Sequence, residues 1–230
     1  MRQNRTLVPI GAGQDVATTI GGLVVTLTDE LLAGLGDSGL EQVAGMLGTD
    51  PATARIVTQA VASTIIGGMA RDAQHPDGAD ALLSALDDHK DTDPFSGDVA
   101  SLTRDGHNIL GHVFGGQGTE QAAAGLSQVA AVRPGAMMKL MPLVAPMIMS
   151  LLADRAAARK LDARALADEL DNERSTLPAR LKDLVTTLLD GIFGGTAAPR
   201  SSPYDTAAVT RGRRSASRRE ISPGTATPDW

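Results

Sequence analysis

The chain has 230 residues, 42% of them hydrophobic, with no cysteine and only one Trp, one Tyr and three Phe, so its core must be aliphatic. These counts exclude disulfides, thiolate nucleophiles and cysteine-ligated metals, and they leave no aromatic platform for stacking bases. The net charge of −6 is uneven: residues 196–230 carry +3 and residues 1–195 carry −9, a poor match to a phosphate backbone.

Residues 1–25 are a Gly- and Thr-rich lead-in, expected to be partly mobile. Its Arg2 and Arg5 are followed by Pro9, Gly11 and Gly13 before any long apolar run, which does not make a signal peptide. From Asp29 onward, Leu31, Leu32 and Leu35 predict a short helix ended by the Gly36-Asp-Ser-Gly39 turn. Leu40, Val43, Ala44 and Leu47 predict a second, ending at Gly48. Asp50-Pro51 is a strong helix start, since Asp caps free amides and Pro is preset for the first helical position. The helix after it should bury the face formed by Ile56, Val57, Ala60, Val61, Ile65, Ile66 and Met69. Gly67-Gly68 either ends that helix or admits a close neighbour.

Leu82, Leu83 and Leu86 mark another helix, and Asp87–Asp98 reads as an acidic surface loop. The stretch Asp105-Gly-His-Asn-Ile-Leu-Gly-His-Val-Phe-Gly116 is a pivot between two similar halves, a short helix closed by Gly115-Gly116. Glu120–Ala131 is a weaker helix, and Pro134 opens a long one that is apolar nearly all round, with Pro146 expected to bend it. Its strongest apolar run, Leu140–Leu152, is too short for a membrane span and is interrupted by Pro142 and Pro146. A shift of 83 residues superimposes the Pro51 helix and its approach on the Pro134 helix, a faint internal duplication of a helix pair. Leu161, Leu166 and Leu170, then Leu181, Leu184, Val185, Leu188, Leu189 and Ile192 after Pro178, close the set. The expected fold is all-α, an irregular multihelical array over residues 26–195, followed by a disordered Arg/Ser/Pro-rich tail over 196–230.

His107 and His112 are the chain's close pair of imidazoles and its candidate metal ligands. Five residues on a helix turn about 140°, which sends them to different faces. No P-loop lysine follows the glycines, and no Gly-x-Ser-x-Gly elbow occurs. No cofactor is expected. Val43–Val57 has the outline of a helix-turn-helix, but the exposed start of its second helix offers Ala52, Thr53 and Arg55 in an acidic body. Met137, Met141 and Met147 are a candidate partner surface, because methionine adapts to varied shapes, or else core. Arg211, Arg213, Arg214, Arg218 and Arg219 form a basic cluster in the tail, suited to weak, non-specific binding of anions or nucleic acid.

Three segments together resemble one family: Gly-His-Asn-Ile-Leu-Gly-His-Val-Phe-Gly-Gly at 106–116, the Asp50-Pro51 helix ending Gly-Gly-Met-Ala-Arg, and Leu-Met-Pro-Leu-Val-Ala-Pro-Met-Ile-Met at 140–149. This is similar to the YidB-like bacterial family, domain of unknown function 937, over roughly residues 26–195. The resemblance implies an all-α fold of many short helices, with no established activity or catalytic residues. The functional expectation is a non-catalytic protein-interaction or scaffolding protein of the cytoplasm, binding a protein partner or further copies of itself. The alternatives are a nucleic-acid-associated regulator using the hairpin and tail, and a metal-dependent enzyme using the histidines.

Overall fold

The computed structural model describes residues 19–20, 23–90, 95 and 98–194. Most of the lead-in, half of the acidic loop and the whole tail, with the Arg211–Arg219 cluster, lie outside the described residues. From Leu27 onward all regular structure described is helical: α1 (Leu27–Leu47), α2 (Pro51–Asp72), α3 (Pro76–Asp87), α4 (Val99–Ala130), α5 (Pro134–Arg159), α6 (Ala163–Ser175) and α7 (Ala179–Phe193). A two-residue antiparallel pair, Thr19–Ile20 with Leu23–Val24, precedes them.

The helix starts follow from local chemistry. Thr26 and Asp29 cap α1 reciprocally: the Thr26 hydroxyl accepts from the Asp29 amide at 3.1 Å, and Asp29 accepts from the Thr26 amide at 3.2 Å. Asp50 caps α2 by accepting from the Thr53 amide at 2.9 Å and the Thr53 hydroxyl at 2.7 Å. Those bonds favour the carboxylate, the Thr53 hydroxyl most, and hold Asp50 below its ordinary carboxyl range. Glycine punctuates the interiors. α1 is broken at Gly36 (φ 58°) and ends at left-handed Gly48, and α4 is broken at Gly115 (φ 72°). The pivot is therefore not a short helix of its own. It is the second half of a limb that begins at Val99, where Asp98 accepts from the Ser101 amide at 3.1 Å.

Two helices form the centre. α2 is buried on every side from Val61 to Ala70, and its Gly67-Gly68 pair does not end it. A Cβ on Gly67 would meet Leu189 and Val185 of α7 at 2.9 Å, and one on Gly68 would meet Val113 and Phe114 of α4 at 2.6 Å. Both glycines thus let other helices approach closely. One residue of the expected buried face departs from it: Ile56 is 66% exposed, while Ala54, Val57 and Thr58 around it are buried. The other central helix, α5, buries Met137, Leu140, Met141, Val144, Ile148 and Leu152. As a whole it is long and apolar enough to cross a membrane by length and composition, but 72% of that apolar window is buried inside the protein, as in the core helix of a helical array.

The ends of α1 and α4 match at the 83-residue shift. Gly48 and Thr49 both donate to the Ala44 carbonyl at the end of α1; at the end of α4, Ala131 and Val132 both donate to Ser127. This is a likeness of caps and does not establish a duplication. It does single out Ala131, which holds the left-handed φ of 53° that Gly48 takes without a Cβ. Ala131→Gly is expected to raise the unfolding free energy by roughly 0.5–1 kcal/mol, read as a higher urea midpoint at unchanged slope. A lower midpoint would mean that the Ala131 methyl packs usefully.

Candidate functional site

The sequence-derived candidates are dispersed by the fold. His107 and His112 are both exposed on α4, and among the described residues no group of three His, Asp or Glu side chains is placed to hold a metal ion. His75 is exposed at the start of α3, and His89 is half-buried just past its end. Met137 and Met141 have no solvent-accessible surface, and Met147 is only half-exposed. Met137 and Met141 thus pack in the core, on a helix most of whose residues are buried. At the helix-turn-helix outline, the first turns of α2 present Ala52, Arg55 and Ile56 to solvent.

One cluster of charges is buried. The Arg155 guanidinium donates to Glu173 at 2.5 Å, Glu169 at 2.9 Å and Glu30 at 2.6 Å, and Arg159 donates to both oxygens of Glu169 at 2.9 Å. Glu173 in turn accepts from the Leu27 amide with both oxygens at 3.0 Å, so a carboxylate from α6 sits on the positive end of α1. Burial pushes the Glu173 carboxyl above its ordinary range, against the pull of Leu27 and Arg155. Burial pulls Arg155 the other way, but Glu30 and Glu173 outweigh it and hold the guanidinium protonated. Every charge in this cluster is partnered from within, so it ties α1, α5 and α6 together and offers nothing to a ligand.

What the surface does offer is a groove of about 520 Å³ between α2, α4 and α7. Thr53, Ile56, Val57, Gln59 and Ala60 form its α2 wall, and Leu126, Val129 and Ala130 its α4 wall. Met137 of α5 is the floor, while Pro178, Arg180, Leu181 and Leu184 form the α7 side. Ile56 and Val129 stand at its lips, 66% and 63% exposed. The Thr53 hydroxyl is occupied by Asp50, which leaves Gln59 and Arg180 as the other polar side chains of the lining, with no ion pair among the described residues. Such a surface binds by excluding water from aliphatic groups.

The groove continues a trough that is filled at its other end by α7. Val185 and Leu189 rest on Gly67, Leu188 on Gly125 and Ile192 on Gly118. Beyond them Arg71 pairs with Asp190 at 3.2 Å and lies 5.0 Å from the Phe193 ring centroid. The same α2–α4 surface therefore already seats one amphipathic helix. Sequence reasoning missed this site because it assigned Ile56 to the core and passed over Val129. A helical face does not reveal where along its length the covering neighbour stops.

A family model described as a bacterial protein of unknown function (DUF937) matches residues 29–155, which run from the first turn of α1 to Arg155 near the end of α5. No curated protein and no solved structure matches the chain. The matched segment supplies the α2, α4 and α5 faces of the groove, and α7 closes it from outside that segment.

Proposed function

The chain belongs to the bacterial DUF937 family of proteins of unknown function, and on that premise we propose that it is a non-catalytic protein-interaction module whose α2–α4–α7 groove seats a helical segment of a partner. One observation supports the reading above the rest: two large aliphatic side chains, Ile56 and Val129, stand exposed on opposite lips of an apolar groove. Exposing both costs solvation in the free protein, and that cost is recovered when a partner covers them. A helix fits because the neighbouring stretch of the same trough already holds one.

A photo-activatable residue at position 56, in cells that make the protein, should yield a discrete cross-linked protein, and Val129→Asp should abolish it. The same residue in place of Arg164, exposed on α6, should yield none. Equal cross-linking from both positions, or none from either, would remove the reading. The fold itself should be indifferent: at 66% exposure, Ile56→Asp is expected to change stability by no more than about 0.5 kcal/mol in thermal unfolding.

A further inference from the structure

The body of the chain, residues 1–195, has 15 Lys and Arg against 24 Asp and Glu, yet the segments walling the groove reverse this balance. Residues 51–60, 121–139 and 178–184 contain Arg55, Arg133, Lys139, Arg180 and Lys182, with Asp183 among them and Glu120 just outside; of these charges Arg180 is the one in the groove lining, which holds no Asp or Glu. All five bases are exposed, and none forms an ion pair among the described residues. Asp50, just outside the α2 segment, spends its carboxylate on the helix cap. An apolar lining with one base and no acid, on an otherwise acidic protein, selects by charge as well as by shape.

Resting on the interaction reading above, we infer that the groove recognises an acidic amphipathic helix of a partner protein, its Leu or Ile stripe between Ile56 and Val129 and its Asp or Glu residues facing Arg180. A helix presents a stripe of large aliphatic side chains, which suits a lining of Ile56, Val57, Leu126, Val129, Leu181 and Leu184. The partner helix lies end-on to α7, on the same α2–α4 surface. Its apolar residues recur at three- and four-residue spacing, as Val185, Leu188, Leu189 and Ile192 do in α7.

The test is fluorescence anisotropy of the full-length protein with two labelled synthetic 15-residue amphipathic helices that share one Leu stripe and differ in carrying Glu or Lys on its flanks. The Glu peptide should bind at least tenfold more tightly at low salt, with the preference shrinking as salt rises. Arg180→Glu combined with Lys182→Glu should erase the preference, and Ile56→Asp should abolish binding without lowering the thermal midpoint. Glu-peptide binding that survives Ile56→Asp lies elsewhere on the chain and overturns the inference. Equal binding of both peptides, lost in Ile56→Asp, also overturns it while leaving the interaction reading standing. If neither peptide binds, the inference fails in favour of another occupant. Phosphatidylglycerol vesicles bound through Ile56 would identify a lipid surface, and dimerisation lost in Ile56→Asp would identify a second copy.

Discussion

Gly106→Ala is expected to destabilise the protein by about 3 kcal/mol or more, while Gly111→Ala, five residues further along the same limb of α4, is expected to stabilise it. A Cβ on Gly106 would lie 1.7 Å from the Pro142 carbonyl oxygen and 2.4 Å from its carbon. Both are backbone atoms of a central helix, so no rotamer change relieves the overlap and the two helices must separate. The contact is this close for a reason found in the sequence of α5. Pro146 has no N–H, so the Pro142 carbonyl loses its helical donor, and its oxygen is met instead by a Cα hydrogen of Gly106. A Cβ on Gly111 has nothing within 4 Å, so the substitution there only removes glycine's backbone entropy, worth about 0.5–1 kcal/mol. Urea unfolding of the two variants beside the parent decides the matter. Similar effects from both would mean that α4 does not approach α5 at Pro142.

Arg155→Met should cost about 3–5 kcal/mol at pH 7, because it leaves Glu173 and Glu30 without a cation and Glu169 with Arg159 alone. The pH dependence has a definite sign. Burial already holds the folded-state pKa of Glu173 above its ordinary value of 4.5, so its contribution favours the folded protein below the unfolded pKa and is lost as pH rises through the folded one. Removing the guanidinium raises that folded pKa further. The penalty of Arg155→Met should therefore be largest at neutral pH and shrink toward pH 5, in thermal unfolding followed at both values. Glu173→Leu added to Arg155→Met should recover part of the loss, although the Leu27 amide then has no acceptor. A penalty that does not change with pH would show that lost packing of the Arg155 stem is the cause.

Much of this fold is legible in the chain. Thr26, Asp50, Asp98 and Asp162 each cap a helix with a side-chain oxygen, and Pro51, Pro76 and Pro134 each occupy the first helical position. Gly36, Gly48 and Gly115 take left-handed φ values where the chain turns. These are contacts within four residues, which local chemistry settles. The Arg155 cluster joins residues more than a hundred positions apart, and nothing in the spacing of Glu30, Arg155 and Glu173 announces that they meet. The candidate site was hidden for the same reason: Ile56 and Val57 are adjacent aliphatic residues, and which of them is buried depends on the helices packed around α2.

By itself the sequence determined that this protein is all-α, where several of its helices start and turn, and that its core is aliphatic, because capping, proline and glycine act over one helical turn. The tertiary structure alone decided which helices touch, which glycines are indispensable and which apolar residues remain for a partner. Burial depends on what lies across the interface, and that is supplied by segments distant in the chain.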